Sequence, residues 1–145
     1  MDDELHATVA AQLLREGQRY TSGRRALVDT LQAANQPLSI REVLERESTL
    51  AQSSAYRNLA VLLDARVVRR VLGTDELVRF ELAEHLTEHH HHLVCSQCGG
   101  VEDFAPPAEL ERIIEGARTS VGSANGFVAD HHRIDFIGTC RSCAA

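Results

Sequence analysis

The densest chemistry in this chain lies between His89 and Cys98, HHHHLVCSQC, where four consecutive histidines run through Leu93 and Val94 into a Cys-x-x-Cys. A second Cys-x-x-Cys, Cys140 to Cys143, follows near the end, with His131 and His132 just before it. Cys95, Cys98, Cys140 and Cys143 account for every cysteine in the chain. Four thiolates in two such pairs suit tetrahedral zinc, with sulfur at about 2.3 Å and no open position. Residues 99–139 separate the pairs, more than a zinc ribbon has, so the tie joins distant parts of a domain and reads as structural.

The histidines have a different logic. Successive side chains of a strand face opposite sides. His89 and His91 therefore share one face and His90 and His92 the other, so the run can serve two sites with two ligands each. A terminal tag would be flanked by linker, whereas this run enters a Cys-x-x-Cys strand. Histidine with carboxylate could also build the open zinc site of a hydrolase or deaminase. No His-Glu-x-x-His occurs, and no His-x-Glu stands just upstream of the Cys pair, which weighs against that class.

The remaining chain has to position these groups. Its 145 residues allow one domain or two small ones, and 43% hydrophobic residues fit a globular protein. With no Trp and 4% aromatics, any core is aliphatic and small, the case in which a metal or a subunit interface usually supplements burial. The net charge of -6 resides entirely in the second half: residues 1–80 carry 11 Arg against 11 acids, residues 81–145 only 4 against 10. The first half could thus present an arginine face to nucleic acid, and the second could not. The N-terminus MDDELHATVAAQLL is acidic and lacks a basic n-region, and no apolar run approaches the roughly 18 residues of a membrane span. A cytoplasmic protein is expected, where paired Cys-x-x-Cys motifs read as metal sites rather than disulfides.

Taken in order, residues 3–16 read as a helix with Leu5, Val9, Leu13 and Leu14 on one stripe, stopped by Gly17. Thr21 or Ser22 caps a second helix through Ala34. Ser39 caps a third, IREVLERE, with Glu42 completing a capping box. A fourth is expected from about Ser53 to Ala65. Two short strands, 67–72 and 76–82, then alternate around Gly73-Thr74-Asp75. Short helices followed by a two-stranded ribbon form the pattern of a winged helix-turn-helix, whose last helix enters the major groove. Ser53, Ser54, Tyr56 and Arg57 open that helix, and these residue types can meet phosphates and base edges. In the second half, HHLVC and VEDF (101–104) should form a hairpin. A helix should follow Pro106-Pro107 with Leu110, Ile113, Ile114 and Ala117 on one face, and a last strand should hold Ile134 and Phe136. The fold class is α+β: a winged-helix domain at 1–82, a hinge at 83–88 and a small α/β dimerisation domain at 89–145. Its free strand edge invites a second copy of the chain.

On RYTSGRRALVDTL (19–31), SSAYRNLAVLLDARVV (53–68), RFEL (79–82), HHHHLVCSQCGGVEDF (89–104) and HHRIDFIGTCRSC (131–143), the chain resembles the ferric uptake regulator family of metal-dependent repressors. That resemblance implies a homodimer that binds double-stranded operator DNA when loaded with a divalent metal and so controls metal uptake. Tyr20, Thr21 and Arg24 would join Ser53, Ser54, Tyr56 and Arg57 at the DNA. A regulatory ion, zinc or iron(II), would be held by His90, His92 and Asp103, with Glu81 or His85 from the hinge side. An accessory site would use His89, His91, His132 and Glu111, or Glu109 in its place. The four-Cys zinc would be structural. Three departures stand out. Ser-Ala-Tyr-Arg replaces the usual Thr-Val-Tyr-Arg. Pro37 stands where many members place a histidine. The hinge offers Glu81, His85 and Arg69 where zinc sensors use Cys or Asp. A peroxide-sensing repressor of the same family is the alternative.

Overall fold

The structure, a computed structural model, describes residues 2–145. Four helices come first: α1 (Asp2–Arg15), α2 (Ser22–Ala34), α3 (Ile40–Arg46) and α4 (Gln52–Asp64). Their ends follow local chemistry. Thr21 caps α2 by accepting from the Arg24 amide at 3.3 Å, and Asn35 leaves the helix in the left-handed region. Ser39 and Glu42 form the expected capping box on α3. Arg66, at φ 59°, reverses the chain after α4 into the ribbon β2 (Val68–Leu72) and β3 (Val78–Leu82).

A two-residue strand, β1 (Leu38–Ser39), adds to the ribbon's other side, so the sheet order is β1-β3-β2. The sequence pattern missed it because two residues carry no periodicity; pairing of Leu38 with Phe80 creates it. The apolar stripes of α1, α2 and α4 meet under this sheet, but Leu14, expected on the α1 stripe, is turned off it by one residue's rotation and is exposed. Val9, Leu13, Leu27, Val28 and Leu62 have no exposed surface. At about 1.5–3 kcal/mol per buried aliphatic side chain, this half carries a sufficient core of its own.

The segment expected as a plain hinge is partly ordered. Residues Glu84–Leu86 make a 3-10 turn, Ala83 is buried, and Leu86 packs on the first-half core. Beyond it, β4 (His91–Cys95) lies between β5 (Val101–Phe104) and β6 (Asp135–Gly138), antiparallel to the first and parallel to the second. The long helix α5 (Ala108–Ala124) connects β5 towards β6, and a short α6 (Arg141–Ala144) follows Cys140.

This second half is thin. Among its described residues, Val94, Cys95 and Val101 are the buried hydrophobic ones, and Gly122 is the buried residue of α5. Ile113, Val121, Phe127, Val128, Phe136 and Ile137 are all more than half exposed. The apolar face expected on α5 exists in sequence but is not covered within the chain, and β6 is an open edge strand. No described helix is long and apolar enough to cross a membrane.

Candidate metal centres and DNA-facing residues

Strand β4 organises three side-chain clusters, each with four ligand atoms within 4.8 Å of one another. Cys95, Cys98, Cys140 and Cys143 form the first. The hairpin turn β4–β5 brings Cys98 back beside Cys95, with Gly99 in the left-handed region at φ 73°. Parallel pairing of Cys95 with Gly138 delivers Cys140 to the same point. Cys98 and Cys140 sulfurs lie 3.9 Å apart, and all four thiols are free. Amide N–H groups of Cys98, Cys140 and Gln97 draw the Cys95 thiol down to about 6. Hydrogen bonding to Cys140 and the other sulfurs pushes Cys143 up to about 12. Four sulfurs from two Cys-x-x-Cys turns thus converge on one point, an arrangement that suits a tetrahedral divalent metal such as zinc.

The second cluster is Glu81, His90, His92 and Asp103. Register explains it: Asp103 is the direct cross-strand partner of His92, and Asp135 flanks His92 on the other side. Glu81 comes from β3 in the first half. Its Oε2 lies 3.0 Å from His90 Nε2 and 3.1 Å from His92 Nε2, while Asp103 Oδ1 lies 3.7 and 3.4 Å from the same nitrogens. The other nitrogen of His90 faces the Glu88 carbonyl at 3.0 Å, which orients the ring. Arg69 on β2 donates through Nε and Nη2 to the remaining Glu81 oxygen, Oε1, at 2.7 and 2.6 Å. Burial opposes ionisation of Glu81, yet hydrogen bonds from His90 and His92 and the charges of His92 and Arg69 hold its carboxyl well below the usual range. The same bond lifts His90 to about 9. Burial raises Asp103. A cleft of about 790 Å³ between α1, α2 and the 3-10 turn opens this cluster to solvent.

His85 is not part of that group. The 3-10 turn directs it towards α1, where Nε2 lies 3.0 Å from Gln12 Oε1. Between the two hinge candidates, the structure brings Glu81 to the histidines.

The third cluster is His89, His91, Glu111 and His132, on the opposite face of the run. Glu111 lies against His91 Nε2 and within 3.1 and 2.8 Å of His89 Nε2 and His132 Nε2. Its alternative, Glu109, is exposed and pairs with Arg112 at 3.9 Å. Two carboxylates that the sequence reading missed attach here: Glu84 contacts His89 Nδ1, and Glu115 lies 2.9 Å from His132 Nδ1. Glu115 stands four residues after Glu111 on one helix face, a spacing that could have pointed to it; nothing in sequence pointed to Glu84. His89 Nε2, His132 Nε2 and Asp103 Oδ1 are buried without a well-oriented hydrogen bond among the described residues, although facing carboxylate or imidazole atoms lie within 3.7 Å of each. Buried polar atoms left so, in two separate clusters of histidine and carboxylate, fit sites for divalent cations.

Because His90 is held protonated by Glu81 in the metal-free protein, ion binding there must displace a proton. The sign follows: the His90–Glu81 bond supports the metal-free fold below about pH 6.5 and is lost as pH rises through about 9. Metal affinity should therefore rise with pH across the neutral range. Calorimetry in buffers of different ionisation enthalpy should show proton release per ion bound, and pH-independent binding without release would contradict this geometry.

The ribbon reaches this strand at a second point. Thr74 donates to the Cys95 carbonyl at 2.7 Å, and Asp75, bound to Arg79 at 2.8 Å, sits so close to Gly99 that a Cβ there would fall 2.2 Å from it. The contacts of Glu81 with His90 and His92, and of Thr74 and Asp75 at Cys95 and Gly99, thus span the seam between the halves.

On the first half, Tyr56 is half exposed, Ser53 and Arg57 are exposed, and Arg57 donates weakly to Ser54 at 3.4 Å. Ala51 offers no side-chain cap, so the first-turn N–H groups of α4 are free to meet an anion. Tyr20, Thr21 and Arg24 each make hydrogen bonds within the chain, and Thr21 stays exposed. Arg24 donates to Asn58 Oδ1 and the Arg19 carbonyl at 3.2 and 2.6 Å, and Thr21 is the α2 cap. The Tyr20 hydroxyl lies 2.6 Å from His6 Nδ1, and burial pushes its pKa up to about 12. His6, given no role from sequence, is buried and also pairs with Asp29 at 2.8 Å.

Comparison with known proteins agrees with this architecture. The sequence profile of the Ferric uptake regulator family matches residues 15–137. The peroxide-responsive repressor PerR of Staphylococcus aureus is 28% identical, covering 99% of this chain and 93% of the relative. The Helicobacter pylori ferric uptake regulator Fur, described with three functional metal binding sites, superposes with a TM-score of 0.76 at 21% identity over 100% of this chain and 95% of that one. A zinc uptake regulator complexed with zinc and DNA superposes with a TM-score of 0.57 at 19% identity, covering 99% and 95%. With the profile spanning most of its length, the chain belongs to the ferric uptake regulator family and is a metal-responsive transcriptional regulator.

Proposed function

We propose that the chain is a cytoplasmic, homodimeric repressor that binds operator DNA when the Glu81, His90, His92 and Asp103 cluster holds a divalent ion, zinc or iron(II). One observation carries the reading: a carboxylate from the winged-helix half and three ligands from the second half converge within 4.8 Å. Residues 1–82 would be the DNA-binding domain, 83–88 the hinge and 89–145 the dimerisation domain. An ion shared across the seam favours one angle between the halves and so one spacing of the two recognition helices in a dimer. A hundredfold preference for that shape is worth about 2.7 kcal/mol. Ser53, Tyr56 and Arg57 face outward and are the proposed DNA contacts. Ser54, Tyr20, Thr21 and Arg24 are proposed to join them at the DNA. The open face of α5 and the edge of β6 are the proposed dimer interface. The four-Cys zinc is structural, and His89, His91, Glu111 and His132 form an accessory site.

Regulators of this family are not enzymes, so the hydrolase and deaminase alternatives fall away. The likeness to a peroxide-responsive repressor keeps one second reading, in which peroxide would be the oxidant of a ligand histidine where the cluster held iron(II). Mass spectrometry for 2-oxo-histidine after peroxide treatment separates the two.

The test is operator binding by full-length protein that retains its four-Cys zinc. A chelator should abolish binding and one divalent metal should restore it. Equal binding by the stripped and reloaded protein would sink the co-repressor reading.

A further inference from the structure

Glu81 is the carboxylate that the winged-helix half contributes to the second cluster, and its two oxygens have separate partners. Oε2 faces His90 and His92, whereas Oε1 is held by two nitrogens of Arg69 at 2.7 and 2.6 Å. The side chain of Glu81 is almost fully buried, so the carboxylate cannot rotate freely into solvent. A charge-assisted pair of bonds to one oxygen is among the stronger contacts a carboxylate makes. Arg69 is itself anchored, lying 4.0 Å from Glu84 on the 3-10 turn.

We propose that Arg69 lowers the coordination number of this site: by occupying Glu81 Oε1 it holds Glu81 to a single donor, and so favours a tetrahedral divalent ion. Two imidazole nitrogens and two carboxylate oxygens then suit zinc, which takes four ligands without electronic penalty. Manganese and iron(II) favour more oxygen donors and higher coordination, which a bidentate Glu81 would begin to supply. Arg69 is a positioning residue in this account, because it touches the ligand and not the ion. The inference rests on the reading of this cluster as the regulatory metal site and adds its metal class.

Cobalt(II) reports coordination directly, since tetrahedral cobalt absorbs visible light far more strongly than six-coordinate cobalt. Full-length protein with zinc kept in the four-Cys site, and carrying His91→Ala so that the accessory cluster does not take up cobalt, is titrated with cobalt in three forms: wild type at position 69, Arg69→Met and Arg69→Lys. The wild type is expected to show an intense tetrahedral spectrum. Arg69→Met should lose most of that intensity, and its ratio of zinc to manganese affinity should drop on the order of tenfold. Removing a nearby positive charge raises the affinity of every divalent ion, so the ratio, and not the affinity alone, is the readout. Arg69→Lys keeps the charge but not the fork, and is expected to behave like Arg69→Met. Retention of the tetrahedral spectrum and of the affinity ratio in both variants overturns the proposal. So does a wild type that takes up no cobalt beyond its zinc, or one whose cobalt is six-coordinate. Failure of the regulatory reading looks different: operator binding would ignore the ion while the cobalt spectra behaved as described.

Discussion

Replacing Cys95 with serine is expected to release the zinc of the four-Cys cluster and to unfold residues 89–145 while the first half stays folded. The asymmetry comes from the two cores. The first half buries a contiguous set of aliphatic side chains from α1, α2, α4 and the ribbon, Leu13, Leu27 and Leu62 among them. The second half has Val94, Cys95 and Val101, and its long helix leaves most of its apolar residues in solvent. A structural zinc site is worth about 10–16 kcal/mol of apparent binding free energy at neutral pH, which in a half this thin is most of what holds it. Cys95 is the most consequential of the four because it also ends the central strand and pairs with Gly138. The checks are zinc content per chain, far-ultraviolet dichroism and thermal unfolding. The variant should hold less than one zinc in this site, lose strand signal, lose dimer formation and show a surviving transition from the helical half. Unchanged zinc content and a single wild-type transition would refute the structural assignment.

The second large effect is expected from His92→Ala. His92 is buried, faces Glu81 and Asp103 through Nε2, and lies 3.8 Å from Asp135 on its other side. Loss of a central ligand should weaken the regulatory ion by at least about a hundredfold and remove metal-dependent operator binding. His91→Ala is the matched control, one residue away and equally buried, but turned to Glu111. It should leave metal-dependent operator binding within several-fold of the wild type. The pair is measured by competition with a chromophoric chelator and by DNA binding at fixed ionic strength. Equal losses in the two variants would mean that the faces of β4 do not divide the work.

Several features were legible before the fold. Capping chemistry at Thr21 and Ser39 is local, and so are the apolar stripes of α1 and α2; both need only near neighbours in the chain. Alternation along His89 to His92 is likewise a property of extended backbone. It separates the histidines into two pairs, and the structure has the pairs facing different carboxylates. The hinge was different. Whether Glu81 or His85 approaches the histidines depends on the 3-10 turn at Glu84–Leu86 and on a contact between His85 and Gln12 far upstream. β1 and α6 were too short to leave a pattern, and Glu84 reaches His89 only because that turn exists.

The sequence by itself determined the chemistry on offer: four thiols, a histidine run with two faces, and helices with an arginine-bearing first half. It did so because ligand type, strand period and helix caps are set by residues adjacent in the chain. Tertiary structure alone decided which carboxylates complete each cluster and which oxygen of Glu81 is left free. It also decided that Tyr20 bonds to His6 and Arg24 to Asn58 while Tyr56 and Arg57 face solvent. Those outcomes rest on pairings such as Arg69 with Glu81, His92 with Asp103 and Thr74 with Cys95, where distance along the chain says nothing about distance in space.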